Sequence, residues 1–458
     1  MPFLIKRLLF TFLPSYLRDR LNNAHKDHKR IVTGMATVAL FVVAAKLVAA
    51  GKEVLVAYRY GTSGVVDGYL FVFNLINWPV SLYLSVMSAV LIPLAARIQR
   101  TAPETLGRFR SELLGVTLII AFGLSLFSMI ILPLLLKGSW TGLDMEARTT
   151  ALRAAPWMAI TLWFGILSAL FSAWVMSREV HANSFLQGLP ALGIAIALLL
   201  WPGADVTPLV WGTVAGFALQ MFLLAIIESR SVGTYKPEFR VSSEHWKSFA
   251  RDVTTMVVAQ AIITATGLLD QFFAAHLGEG AIATLSYANR ILALVLGLSA
   301  TVIGRAVLPV FARARLESGP SFLNQMAWRW SIIMFIAGLP VVVVGWWLAP
   351  WGVALLFERG AFSANDTEAV AGVFRILLVQ VPLYLPNMVL VNWANSTGAY
   401  RHLLYTSVLG ASMKLVGNTL LVQKYGLNGI AAATVLRYLI TTGYLVLIRT
   451  QRASLTLK

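Results

Sequence analysis

The sequence predicts an all-α polytopic membrane protein, with about twelve transmembrane helices in two six-helix lobes related by a pseudo-two-fold along the membrane normal. Three observations carry this: an apolar composition, twelve apolar stretches of bilayer length, and a self-similarity at roughly half the chain. Of 458 residues, 58% are hydrophobic and 12% charged, and mean hydropathy is +0.74. A soluble protein is about 25% charged. The absence of cysteine excludes disulfides, thiolate metal sites and cysteine nucleophiles. The six histidines form no HExxH-like pair, and no GxxxxGK[ST] or GxSxG motif occurs. These absences argue against an enzyme, ATP hydrolysis and a bound cofactor. The net charge of +17 does not point to nucleic acid, because basic residues of membrane proteins gather in cytoplasmic loops.

A hydrocarbon core of ~30 Å asks for about 20 apolar residues per helix. Spans are predicted near 31–58, 66–96, 112–136, 152–176, 182–201, 208–228, 252–275, 281–312, 325–349, 368–394, 402–422 and 427–448. The first, second and eighth exceed the bilayer and should tilt, bend or project into the cytoplasm. Gly51 falls in the first span, Pro79 and Pro93 in the second, and Pro133, Pro156 and Pro190 in the third to fifth. Pro340 lies in the ninth, and Pro382 and Pro386 in the tenth. Such breaks are tolerated where neighbours or a cavity satisfy the freed carbonyls. Trp140, Trp201, Trp246, Trp346 and Trp351 sit near span ends and read as interfacial anchors.

Loop charge sets the orientation. With a cytoplasmic N-terminus, the inside segments carry 23 Lys and Arg, against 5 outside (Arg59, Lys137, Arg148, Arg359 and Lys424). Both termini are therefore expected in the cytoplasm. The division is a basic segment 1–30, an N-lobe 31–228, a cytoplasmic linker 229–251, a C-lobe 252–448 and a tail 449–458. Residues 1–30 lack a cleavage site, and Pro14, Arg18, Asp19 and Arg20 interrupt their apolar stretch. The first part reads as an interfacial amphipathic helix on anionic lipid. A disordered basic tail remains an alternative after Leu21.

At an offset of 216, Gly64, Leu82, Val86, Pro93, Ala96 and Arg97 fall on Gly280, Leu298, Val302, Pro309, Ala312 and Arg313 without a gap. The copies lie six spans apart and share one orientation, the pattern of parallel-repeat transporters. Substrate would then pass between the lobes.

Seven basic residues lie within spans, Lys46, Lys52, Arg290, Arg305, Arg375, Lys414 and Arg437, against the acids Glu53, Asp270 and Asp67. Each such charge costs roughly 2.5–3.5 kcal/mol at the bilayer centre, so a partner or a wet cavity is expected. The surplus of bases suggests that the cargo supplies anions. Arg305 and Arg375 lie close enough to span ends to snorkel. Lys46, Lys414 and Arg437 sit near mid-span and are read as cavity residues. Lys46 and Glu53 are seven apart, on one helical face. Arg290 and Asp270 flank the Gly278–Gly280 turn at similar depth, so Arg290 reads equally as a partner of Asp270 or as a cargo-binding arginine. The amides at Asn74, Asn77, Gln260, Gln271, Asn289, Gln380, Asn387 and Asn392 are polar glue or cargo contacts. Asp270 could help bind Na⁺, but one carboxylate is not a site.

Leu285-Ser-Tyr-Ala-Asn-Arg290, then Leu-Gly-Leu-Ser and Val307-Leu-Pro-Val-Phe-Ala-Arg313, resemble the eighth span of the MviN/MurJ lipid II flippases of the multidrug/oligosaccharidyl-lipid/polysaccharide (MOP) exporter superfamily. Lys46-Leu-Val-Ala-Ala-Gly-Lys-Glu53 resembles the family's first-span pattern Arg-x-x-x-x-x-Arg-Asp, with lysines for arginines. The stretch from Gly61 through Asp67 to Pro93 and Leu356-Phe-Glu-Arg-Gly-Ala-Phe-Ser363 also resemble it. The resemblance implies a two-lobed carrier in the bacterial inner membrane, turning a polyprenyl-pyrophosphate-linked saccharide to the outer leaflet by alternating access. It maps central basic positions of the cavity to Lys46, Lys52 and Arg290, and an acidic one to Asp67. Envelope-biosynthesis enzymes are the implied partners, and the membrane potential or Na⁺ the implied energy source. The chain departs from the family at Val80 or Ser81, where an arginine is expected, and at Ala293, where an acid is expected. It also has no length for two further C-terminal helices. An exopolysaccharide or O-antigen repeat unit, or a cation-coupled drug exporter of the same superfamily, are the alternatives. An exporter of cationic drugs would be expected to have acidic cavity residues, and the surplus here has the opposite sign.

Overall fold

The computed structural model describes residues 26–178, 183–233, 235–297, 311 and 319–455. The predicted interfacial helix before Lys26, the position of Arg305, and the repeat matches at Leu298, Val302, Pro309, Ala312 and Arg313 lie outside them. Every extended element among the described residues is a helix: α1 (Lys26–Tyr60), α2 (Gly64–Thr101), α3 (Pro103–Leu136), α4 (Met145–Ser177), α5 (Leu189–Leu200), α6 (Thr207–Val232), α7 (Trp246–Ala275), α8 (Ala281–Gly297), α9 (Gly319–Phe357), α10 (Ala364–Leu378), α11 (Val381–Ser396), α12 (Tyr400–Tyr425) and α13 (Leu427–Leu455). Among the described residues each predicted span has its helix, the eighth as far as Gly297, and seven helices are long and apolar enough alone to cross a bilayer.

Local chemistry sets the boundaries. Proline stands in the first turn of α3, α5, α6 and α11, where its missing N–H has no helical acceptor to satisfy. The Asp144 carboxylate accepts from Glu146 N at 3.1 Å and Ala147 N at 3.3 Å and starts α4. Ser363 and Asp366 form a reciprocal capping box at α10. The predicted tenth span is two helices, α10 and α11, bent by 43° where Val379 and Gln380 break the ladder ahead of Pro382. The fifth is shorter than expected. The 12 residues of α5 rise only about 18 Å, less than the bilayer core.

α4 is the centre of the N-terminal half, with 83% of its most apolar stretch buried. Ala147, Ala151, Ala154, Ala155, Ala159 and Gly165 let α2, α3 and α6 approach it closely. α5 packs on α6, and α1 on α5. In the C-terminal half, α9 packs on α10 and α11, α13 on α10, α11 and α12. α3 and α9 present Phe122, Phe127, Ile130, Ile336, Val343 and Trp347 outward, as lipid requires.

α7 belongs to both halves. It packs along α2 and also against α12, and Trp78 Nε1 on α2 donates to Thr264 Oγ1 at 2.9 Å. The segment before it is shorter than the predicted linker, 233–245, and is fastened to α3. The buried Glu112 carboxylate accepts from Ser242 N and Oγ (3.2 and 2.7 Å), Ser243 N (3.1 Å) and Trp246 Nε1 (2.6 Å). Glu238 N donates to Ser111 O at 2.9 Å.

Candidate functional site

The halves meet at the end of the bundle that carries Gly61, in a seam of polar contacts. Gly61 adopts φ +58°, and a Cβ there would stand 2.6 Å from Ala361 O. Gly280, at φ +78°, would bring one within 2.5 Å of Thr62 O. Only glycine meets both demands. Across these turns Tyr287 OH donates to Gly61 O at 3.1 Å, Ala361 N to Tyr58 O at 2.8 Å, and Thr62 Oγ1 to Asp366. Asp67 Oδ1 accepts from Ala283 N at 2.7 Å. Asp67 and Ala283 are 216 residues apart, the offset of the repeat. Symmetry-related positions touch only near their axis, so the contact marks where the two-fold passes.

That contact corrects one expectation. Asp67 is 2% exposed and caps the N-terminus of α8, where backbone N–H groups lack helical acceptors. It does not line the cavity.

Below the seam lies the charged site. Lys52 and Glu53 on α1 are adjacent, with Lys52 Nζ 2.5 Å from Glu53 Oε1. Arg290 Nε on α8 approaches the same oxygen at 3.0 Å. Lys52 and Glu53 are buried, whereas the Arg290 side chain is 45% exposed. One carboxylate thus serves two cations from opposite halves, leaving a surplus positive charge. Lys46, two turns earlier on the same face, lies against α8, its Nζ 2.6 Å from where a Cβ on Gly297 would stand. A cavity of about 320 Å³ opens beside Lys52, Glu53 and Arg290 and reaches into the N-terminal half. A smaller one of about 180 Å³ is lined by Lys46, Glu53, Arg290, Ala293 and Phe357.

Uncharged polar groups complete the larger cavity: Asn77 and Ser81 of α2, Ser168 and Ser172 of α4, Gln187, and Gln220 of α6. Ser168 Oγ is buried without a hydrogen-bond partner. The serines were not singled out from the sequence. Their i, i+4 spacing within a predicted span was the available signal. Asn74, expected at the site, is half-buried and outside both linings, and Asn77, one turn on, takes that place.

Asp270, Lys414 and Arg437 fall in a separate cluster of the C-terminal half, and Arg375 lies apart on α10. Asp270 pairs with Lys414 at 2.9 Å rather than with Arg290. Lys414 is 1% exposed and lines neither cavity. Arg437 leans on α12 at Gly410, its guanidinium 5.2 Å from the Tyr438 ring centroid. Arg375 stacks over Trp346 and donates to its carbonyl at 3.1 Å.

A polytopic helical bundle whose halves close at one end over a cationic, polar-lined cavity has the architecture of a membrane carrier. The chain belongs to the lipid II flippase MurJ family, whose sequence model matches residues 56–458. It is 27% identical over 322 residues to the probable lipid II flippase MurJ of Bdellovibrio bacteriovorus, covering 63% of this chain and 58% of that relative. The chain therefore spans less than two thirds of that relative's length. A solved lipid II flippase MurJ in an inward closed conformation superposes with a TM-score of 0.78 at 18% identity, over 90% of this chain and 87% of that one. An inward-facing multidrug resistance MATE family transporter of the MOP superfamily gives 0.71 at 16% identity, over 90% and 94%. These likenesses establish the all-helical polytopic fold.

Proposed function

We propose that the protein is a lipid II flippase of the bacterial inner membrane, with both termini in the cytoplasm. The cavity at Lys46, Lys52 and Arg290 receives the pyrophosphate and sugar headgroup, while the polyprenyl tail stays in lipid. The observation that carries this reading is the single Glu53 carboxylate shared by two cations from opposite halves. A diphosphate can displace or join Glu53 there and be held by both halves at once. Charge-assisted hydrogen bonds offset the dehydration of the headgroup, and the serine and amide wall suits sugar hydroxyls.

Closure of the Gly61 end, outer by the loop-charge count, supports an inward-facing loading state. Rocking of the halves would then expose the site to the other leaflet. The membrane potential drives a net anionic cargo outward at ~2.3 kcal/mol per charge per 100 mV. Asp270, the carboxylate considered for Na⁺, already holds Lys414. Envelope-building enzymes would consume the flipped lipid.

The test is reconstitution into proteoliposomes with fluorescent lipid II or a polyprenyl-pyrophosphate O-antigen unit, scoring which headgroup becomes accessible on the far side. Transfer of lipid II, lost in Lys46→Ala and Arg290→Ala with protein levels unchanged, is the expected result. Transfer of the other glycan alone would reassign the cargo. Full activity in both variants would reject the cavity.

A further inference from the structure

The charged cluster of the C-terminal half has the arrangement of a cation site whose cation is covalently attached. Lys414 Nζ lies 2.9 Å from Asp270 Oδ1 on α7 and 3.0 Å from the Ile430 carbonyl on α13, and it also donates to Thr434 Oγ1. An ammonium has three N–H groups, and here each finds an oxygen. Asn418, one turn after Lys414 on α12, donates from Nδ2 to the same Asp270 oxygen at 2.9 Å. Its amide oxygen is fully buried and has no partner.

Taken without the lysine, the place offers a carboxylate, a main-chain carbonyl, a hydroxyl and an orphaned amide oxygen, drawn from three helices. That donor set is all oxygen and carries one negative charge. It suits a monovalent alkali cation, and among the described residues no group of three acidic or imidazole side chains exists that would hold a divalent one.

We infer that Lys414 fills a monovalent-cation site with a tethered ammonium, so the transport cycle proceeds without a dissociable cation there. The ammonium balances Asp270, and Arg437 adds a further positive charge to the same cluster, so an alkali ion entering beside Lys414 meets net repulsion. The lysine joins α7, which packs on both halves, to α12 and α13. A free ion would make that joint conditional on its concentration, whereas a side chain makes it permanent. The inference does not depend on which lipid is carried.

The test uses full-length protein in detergent, with thermal unfolding followed in choline, lithium, sodium and potassium chloride at constant ionic strength. Equilibrium ²²Na⁺ binding is measured in parallel. The wild type should melt at one temperature in all four salts and bind no sodium. Lys414→Ser and Lys414→Gln should melt lower in choline and recover saturably with one alkali cation, and Lys414→Ser should bind about one sodium per chain. Both responses should vanish in Lys414→Ser/Asp270→Asn. An alkali-specific, saturable stabilisation of the wild type would overturn the inference, as would a folded Lys414→Ser protein indifferent to cations. If neither Lys414 variant folds, the wild-type titration decides alone.

Discussion

Glu53 Oε1 sets the charge balance of the cavity. Because it is shared between Lys52 and Arg290, it competes with any anionic headgroup for both. Removing Arg290 takes away charge-assisted hydrogen bonds worth about 1.5–3 kcal/mol. Arg290→Ala should therefore weaken headgroup binding roughly ten- to hundred-fold, measured by titrating a water-soluble pyrophosphate-linked analogue. Glu53→Gln should act in the opposite sense, holding the headgroup more tightly while lowering turnover, and equal losses of affinity in both variants would contradict the competition. Part of this site was legible in the sequence. Lys46, Lys52 and Glu53 share one helix, and helical spacing alone brings them to one region. The partner of Arg290 was not legible, because Asp270 lies at similar depth and only the packing of α8 against α1 selects Glu53 instead. Asp67 looked like a cavity acid for a related reason. An acid at a span start is equally suited to a pocket or to capping a helix from another half.

At the scale of single elements, the turns at the Gly61 end and the fastening of the segment before α7 decide how the helices are held. Gly61→Ala introduces both a disfavoured positive φ and a Cβ 2.6 Å from Ala361 O. The strain alone is of order 1–3 kcal/mol, so the variant should melt several degrees lower, with the loss confined to conditions that keep the seam closed. Glu112→Ala strands Ser242 N, Ser243 N and Trp246 Nε1, at about 1–3 kcal/mol for each donor left buried. Limited proteolysis should then cut within 233–245 at least ten-fold faster than in the wild type, with α9 to α13 unaffected. Helix existence was legible for the spans among the described residues, since apolar length and proline or glycine punctuation are local properties. The brevity of α5 and the 43° break between α10 and α11 were not. Apolar runs register burial in lipid or protein alike, and only tertiary packing determines whether a run crosses straight.

Over the whole molecule, the seam joins buried apolar packing that runs through both halves, Tyr60, Tyr287, Phe357 and Phe362 among it, with hydrogen bonds across the turns. Each of these bonds is worth only about 0.5–1.5 kcal/mol net, because water can replace either partner. Hydrogen bonds of this kind can part and re-form as water reaches them. The repeat made a two-fold arrangement legible, and the Asp67–Ala283 contact lies on it, but which end closes cannot be written in sequence, since one chain must encode both states. The absence of cysteine makes the motion accessible to cross-linking. Thr62 and Asp366 are hydrogen-bonded across the seam, so Thr62→Cys/Asp366→Cys joined by a short bifunctional thiosulfonate should hold the Gly61 end shut. In proteoliposomes the cross-linked protein should still bind headgroup analogue from the linker side, yet transfer less than about a tenth as much lipid, with recovery on reduction. Either single cysteine variant, treated identically, should retain transport. Undiminished transfer by the cross-linked protein would mean that lipid crosses without the seam opening, and alternating access between the halves would have to be abandoned.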